Sequence, residues 1–256
     1  MNFSVLDWNI QGKKYYTHTS FKKIKPELEK IGADIVCLQE GNTIIDKLDY
    51  FKQSQKYNYV FSCEHKDGIN VILSKFKIIA YGQINCPSFL DKSTGEVLWA
   101  KIKIGNKILK IYNCHFEIIG IGPRERARAL NFVIANSKNH QGSTIICGDF
   151  NTTIPAHGFG RKFVKWFHNV PDKSLVIGEK ELINDERYSF VEIAKQKGLK
   201  EATDISKTTW SILSIRWEIF HLKLDWFFVR DLKASKAILG KYISDHRSLF
   251  VKCKLD

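Results

Sequence analysis

Thr144-Ile-Ile-Cys-Gly-Asp-Phe-Asn, residues 144–151, reads as a short apolar strand that ends in a glycine and two polar side chains. A strand carrying polar groups at its tip, rather than along one face, delivers them to the rim of a sheet. The pattern recurs outward from this segment. Phe3–Ile10 runs into Trp8-Asn-Ile-Gln-Gly12, and Asp34-Ile-Val-Cys-Leu-Gln ends at Glu40. Leu222–Val229 contains Leu224-Asp-Trp226, and Ser244-Asp-His246 precedes the apolar run Ser248–Lys252. Polar groups on apolar strands need partners, ligands or substrate to offset desolvation.

The remaining strand-like runs are Tyr57–Phe61, Ile69–Ser74, Ile78–Gln83, Val97–Ile104, Ile108–Phe116 and Thr209–Leu213. Val97-Leu-Trp-Ala-Lys-Ile-Lys-Ile104 alternates apolar and polar residues, and Gly105-Asn106 reads as a hairpin turn. Helical patterns fall at about 19–31, 124–138, 160–168 and 186–197, with Pro123 suited to a first helical position. Many strands with a few interspersed helices predict an α/β fold of two face-packed β-sheets flanked by helices. No linker-like segment, low-complexity tract or short repeat interrupts the chain, so residues 1–256 are expected to form a single domain.

The chain has 40 Lys plus Arg against 27 Asp plus Glu, a net charge of +13 that favours polyanionic partners. The lysines are scattered, which equally suits a solvated basic surface. Cys37, Cys114 and Cys147 lie in apolar runs and no Cys-x-x-Cys pair occurs, which argues against a disulfide framework and against zinc. No signal peptide or apolar run of about 20 residues is evident. A cytoplasmic, monomeric protein without a transmembrane segment is expected.

Mg²⁺ prefers oxygen ligands and commonly binds through one or two carboxylates plus water and substrate phosphate. Glu40 suits that role, although a glutamate at a strand exit is more often a plain surface residue. Asn9 is equally readable as turn chemistry. Asp149 and Asn151, two residues apart, are expected to share a face and could together serve a water and a phosphoryl oxygen. His246 supplies an imidazole for phosphate binding or proton transfer, with Asp225 the candidate to orient it and Asp245 able to face a metal. His115 sits in the strand Tyr112-Asn-Cys-His-Phe-Glu117. Arg124, Arg126 and Arg128 read as phosphate contacts or, more simply, as a solvated basic face.

In this order, Asn…Glu…His…Asp-x-Asn…Asp…Asp-His resembles the endonuclease/exonuclease/phosphatase superfamily, with matches from Asn9 to His246. Its members include type I deoxyribonucleases, abasic-site endonucleases, sphingomyelinases and inositol-phosphate phosphatases. The resemblance implies a four-layer α/β sandwich (the deoxyribonuclease I-like fold) with mixed, mostly antiparallel sheets. It implies a metal group of Asn9, Glu40 and Asp245 holding Mg²⁺, with Mn²⁺ as a substitute. It further implies that Asp149 activates water, Asn151 holds the scissile phosphate, and His115 and His246, the latter oriented by Asp225, contact the phosphate. Gln11 stands where some members place an Asp. Trp226 and the run Leu-Asp-Trp-Phe-Phe-Val-Arg resemble bacterial members of unassigned substrate.

The activity expected is therefore a Mg²⁺-dependent phosphodiesterase or nuclease acting on nucleic acid. The net charge and the aromatic and basic residues interleaved over Trp210–Lys223 favour that substrate, although core packing would account for the aromatics too. A sphingomyelinase-like phosphodiesterase or phosphoinositide phosphatase is the alternative. It would touch an anionic membrane surface through the apolar Ile118–Gly122 loop. An inactive nucleic-acid-binding module is a third.

Overall fold

Strand β1 (Asn2–Asn9) is apolar on both faces, and this dictates the layering. Phe3 and Val5 join one core cluster, while Leu6 and Trp8 join another. A strand buried on both faces needs a second layer on each side. In the computed structural model, which describes residues 1–11, 19–62, 68–86, 95–116, 123–152, 176–177, 180–181, 186–210 and 222–256, those layers are a second sheet and a pair of helices.

The first sheet contains β1, β2 (Ile35–Gln39), β3 (Asn58–Phe61), β4 (Val71–Ser74), β13 (Lys233–Ala234), β14 (Ile238–Tyr242) and β15 (Arg247–Lys254). They are ordered β13-β15-β1-β2-β4-β3, with β14 also paired to β15. The second contains β5 (Lys77–Asn85), β6 (Gly95–Ile104), β7 (Lys107–Phe116), β8 (Thr144–Asp149), β11 (Lys200–Glu201) and β12 (Asp225–Arg230), ordered β11-β12-β8-β7-β6-β5. A small pair, β9 (Val176–Ile177) and β10 (Lys180–Glu181), stands apart. Val5, Cys37 and Ile72 of the first sheet meet Ile111, Ile145, Cys147 and Phe227 of the second.

Outside the first sheet, α1 (Phe21–Ile31) and α2 (Leu48–Gln55) contribute Ile24, Leu28, Leu48 and Phe51. Outside the second, α3 (Pro123–Lys138) and α4 (Glu186–Gln196) contribute Leu130, Val133, Phe190 and Ala194 over Tyr112, Ile146, Trp226 and Phe228. The result is helices, sheet, sheet, helices: the four-layer α/β sandwich. Both sheets are mixed, with β1–β2 and β7–β8 parallel and the other pairs antiparallel.

Most elements fall where periodicity places them, and Gly105 turns the β6–β7 hairpin with φ 62°. Helix α2 and its preceding 3₁₀ turn (Gly41–Lys47) were not legible, because polar residues interrupt the apolar spacing over 41–55. The expected helix at 160–168, the Ile118–Gly122 loop and residues 211–221 lie outside the described residues. Arg126 is neither a phosphate contact nor part of a solvated face. It is fully buried, and its Nε and Nη2 donate to Glu186 of α4 at 2.7 and 2.8 Å. The five described cysteines are free and buried. Among the described residues no helix is long and apolar enough to cross a membrane.

Candidate active site

The parallel pairs β1–β2 and β7–β8 end on one rim of the sandwich, and the antiparallel strands β12 and β15 begin there. In register, Asp225 stands opposite Asp149 and His115 beside Asp149. Strand direction therefore gathers Asn9, Glu40, Asp245 and His246 from the first sheet and His115, Asp149, Asn151 and Asp225 from the second. The eight candidate residues that the sequence motifs pick out thus lie on one rim, whereas Arg126 does not.

Asn9 joins the two halves. Its Nδ2 donates to Glu40 Oε1 at 3.2 Å and to Asp149 Oδ2 at 3.0 Å, while its Oδ1 accepts the Gln11 N–H at 2.9 Å. Glu40 leaves β2 in a left-handed conformation, φ 53°. Gly68 makes room for that turn, because a Cβ there would lie 2.9 Å from Glu40 Cα. His115 Nε2 is 4.0 Å from Glu40 Oε1 and 3.9 Å from Asp149 Oδ2. His246 Nε2 is 3.6 Å from the same Asp149 oxygen and 4.0 Å from Asp245 Oδ1.

Asn151 reaches the site by a different route from the alternation expected of it. Strand β8 stops at Asp149, and Asn151 is left-handed with φ 52°. Its backbone N–H donates to Asp149 Oδ1 at 2.9 Å and its Nδ2 to Phe116 O at 2.6 Å. One amide hydrogen remains for a ligand.

The His246 backbone is clamped by Ser244, whose Oγ accepts from Trp8 Nε1 at 3.0 Å and from His246 N at 3.1 Å. Its ring Nδ1 donates to Asp225 Oδ2 at 2.9 Å. Thr209 Oγ1 accepts the N–H groups of Leu224 and Asp225, fixing the entry to β12. Burial disfavours the imidazolium, but the Asp225, Asp245 and Asp149 carboxylates together override it and hold His246 well above its ordinary range. His246 is thus held as the imidazolium, its Nδ1–H directed at Asp225, whose own carboxyl is raised by burial. Asp225→Asn removes the main counter-charge. It is expected to move the alkaline limb of the pH–rate profile to lower pH by about one unit or more, because the ring then loses its proton earlier. An unmoved limb would show that another group sets it.

Side-chain exposure divides the site. Glu40 and Asp245 retain 21% and 18%, whereas Asp149 and Asp225 retain 2% and 1%. The mouth is therefore lined by Glu40 and Asp245, and the floor by Asp149, Asp225 and His246. Burial raises the carboxyls of Glu40 and Asp245; nearby histidines oppose this, while Asp245 adds to it at Glu40 and Asp149 at Asp245. Ligand-type atoms of Asp149, Asp225 and His246 lie within 4.8 Å of one another. The Asp225–His246 hydrogen bond already occupies two of them, so the oxygens of Glu40 and Asp245 at the mouth, with the buried Asn9 bonded to Glu40, are better suited to a hard cation.

Several supporting residues escaped the sequence reading. Gln39 Nε2 donates to Asp7 Oδ1 at 2.8 Å and to Asn113 Oδ1 at 2.6 Å, forming a fully buried polar chain between the sheets. Burial raises the Asp7 carboxyl well above its usual range. Asp7 sits two residues before Asn9 on the same strand face, a signal that could have pointed to it. Trp210 Nε1 donates to Asp245 Oδ2 at 3.1 Å. Trp226, by contrast, faces away from the site. It stacks on Phe228 at 5.6 Å, and its Nε1 donates to Thr152 Oγ1.

The double-sheet sandwich gathers carboxylates and imidazoles from both sheets on one rim. The family described as endonuclease/exonuclease/phosphatase matches residues 8–246, and the chain belongs to it. No curated protein matches. Among solved structures the chain resembles the endonuclease/exonuclease/phosphatase from Bacteroides vulgatus, with TM-score 0.72, 15% identity and 100% of both chains covered. It also resembles D. rerio TDP2 complexed with a single-strand DNA product, with TM-score 0.67, 16% identity and 99% of each chain covered. ANGEL2, a 2′,3′-cyclic phosphatase in complex with adenosine-2′,3′-vanadate, gives TM-score 0.67 and 16% identity over 99% of this chain and 96% of that one. At these identities the likeness is one of fold.

Proposed function

We propose that the chain is a Mg²⁺-dependent phosphodiesterase acting on nucleic acid by in-line attack of water. The observation that carries this reading is the convergence on Asp149 Oδ2. That oxygen accepts from Asn9 at 3.0 Å and stands 3.6 and 3.9 Å from the Nε2 atoms of His246 and His115. A carboxylate between two imidazoles can hold a water through one oxygen while the rings donate to phosphoryl oxygens.

The donor set fits a hard divalent cation. Glu40 and Asp245 offer oxygens at the mouth, the Asn9 amide lies buried beside Glu40, and Asp245 Oδ1 is buried without a hydrogen-bond partner among the described residues. Bound there, Mg²⁺ supplies charge neutralisation at the phosphoryl and departing oxygens. The protein's own groups do the rest. Asp149 orients the attacking water and takes its proton. His246, kept protonated by Asp225, donates to the developing charge, as do His115 and the free amide hydrogen of Asn151. Pre-aimed donors of this kind are worth about 3–4 kcal/mol each. The net charge of +13 supports a polyanionic substrate. The similarity to proteins solved with a DNA product and with an adenosine-2′,3′-vanadate supports the same choice.

The test is hydrolysis with Mg²⁺ or EDTA on plasmid, single-stranded DNA, RNA, sphingomyelin and phosphoinositides. Metal-dependent cleavage of a nucleic acid is expected. Turnover of lipid alone overturns the substrate, and turnover undiminished by EDTA overturns the metal. Thermal unfolding gives a second readout. Because the Glu40 and Asp245 carboxyls are raised, the metal-free fold binds protons more readily than the unfolded chain. Its stability from these groups falls as pH rises through their raised values. Mg²⁺ relieves that loss, so the increase in Tm on adding Mg²⁺ is expected to be larger at pH 8 than at pH 5.

A further inference from the structure

At the opposite end of the six-stranded sheet, basic side chains line up across neighbouring strands. Lys101 of β6 pairs in register with Lys110 of β7, Lys110 with Thr144 of β8, and Thr144 with Arg230 of β12. Registered residues share a face, so three cations form one row on the outer side of the sheet. Strand β8 runs from Thr144 to Asp149, which puts this row about 17 Å from the candidate active site at ~3.3 Å per residue. Like charges directly opposite on a sheet destabilise it unless something compensates.

Two of the three have a structural account. Arg230 Nη2 donates to Ser137 O at 2.9 Å, and Lys110 Nζ donates to Asn136 Oδ1 at 3.3 Å. Both therefore serve the C-terminal end of α3, where cations are favoured. Lys110 also lies over the Trp99 and Tyr112 rings at 4.7 and 4.8 Å. Lys101 has no such role. It borders a cleft of about 470 Å³ together with Lys107, His140, Asn106 and Asp231. Among the described residues, neither Lys101 nor Lys107 makes an ion pair. The carboxylate lining the cleft belongs to Asp231, which is largely exposed and lies 3.8 Å from Arg230 Nε.

We infer that this cleft is an anion site in which Lys101, Lys107 and His140 take a phosphate group. Lysines act on phosphate as point charges, and the Asn106 amide adds a neutral donor. His140 Nε2 is held by Ile108 O at 3.3 Å, so the proton it gains on anion binding goes to Nδ1. Gly142 permits the close passage of the backbone, since a Cβ there would lie 3.1 Å from His140 Nε2. Burial holds His140 below its ordinary range, aided by the charges of Lys101, Lys110 and Arg230 and opposed by the Ile108 hydrogen bond. Burial and Lys101 do the same to Lys110. The positive field here lacks a sufficient counter-charge, and a bound phosphate would supply one. The phosphate could be free or belong to a nucleotide chain. The inference does not depend on the hydrolase reading.

The test uses the full chain carrying Asp149→Ala, so that no probe is consumed. The His140 ring resonances, assigned by comparison with His140→Gln, are followed during titration with inorganic phosphate at ionic strength held constant with chloride. A saturable shift is expected, with the His140 pKa rising by about one unit as an opposite charge arrives. The response should disappear in Lys101→Gln/Lys107→Gln. An unsaturating response, or one of equal size in that double variant, overturns the site. A second titration uses a short 5′-phosphorylated oligonucleotide. Saturation at concentrations tenfold or more lower than for inorganic phosphate assigns the site to the nucleic-acid backbone, and equal or weaker binding assigns it to a small phosphate.

Discussion

Asp149→Ala is expected to lower kcat by about 10³-fold while leaving the protein folded. Positioned proton transfer contributes roughly 10²–10⁴-fold, and Asp149 is the carboxylate that both imidazoles and the Asn9 amide face. Its removal takes away the group proposed to hold the water and leaves His115 and His246 in place to donate. Stability should move little or rise. Asp149 is buried beside Asp225 and Asp245, and losing one of several crowded carboxylates relieves repulsion at the cost of two hydrogen bonds, from Asn9 Nδ2 and Asn151 N, and of one counter-charge to His246. Such a trade is common where a site holds like charges for function. Steady-state kinetics and thermal unfolding on the same preparation check both halves. A kcat within tenfold of the parent would remove Asp149 from the mechanism, and a collapse of Tm would recast it as a structural residue.

Gly148→Ala is expected to have the largest effect on the fold, a loss of about 4 kcal/mol or more. Gly148 pairs with Cys114 in the parallel β7–β8 ladder and has φ 132°, a conformation closed to side chains. A Cβ there would stand 2.0 Å from Cys114 O and 2.7 Å from Cys114 N. Neither atom can withdraw, because Cys114 is fully buried in the middle of the sheet with β6 on its other side. Backbone strain alone costs about 1–3 kcal/mol, and displaced ladder bonds add to it. Domains of ordinary stability have about 5–15 kcal/mol in total, so much of the protein should unfold or fail to accumulate. Urea denaturation measures the loss. A penalty below about 1 kcal/mol would mean that the ladder can open at this point. The glycine in Gly-Asp-Phe-Asn is thus explained by strand packing, and the Asp and Asn by the rim that the packing creates.

The two variants divide what was legible in the chain from what was not. Apolar runs and their polar tips are local patterns, and they marked Asn9, Glu40, His115, Asp149, Asn151, Asp225, Asp245 and His246 before any fold was known. The same patterns located three helices and most strands, because alternation and 3.6-residue spacing depend only on neighbours along the chain. They failed where the deciding contact lies far away. Arg126 on a helix reads as a solvated cation until Glu186 is brought against it. Trp226 follows Asp225 in the sequence, yet alternation sends it into the outer core beneath α3 and α4. Asn151 lies in the site through a left-handed turn and a bond to Phe116, not through strand geometry.

The order of residue types along the chain was enough to set the layered class of fold, the resemblance to the family and the membership of the rim, since each rests on periodicity or on short motifs. Only the tertiary structure decided how those residues act on one another. Asn9 and Asp149 are 140 positions apart, and Trp8 and Ser244 are 236 apart. Contacts across two sheets follow from strand order and direction, which a local pattern does not encode. The same holds for the row Lys101, Lys110 and Arg230, scattered along the chain and aligned only by register.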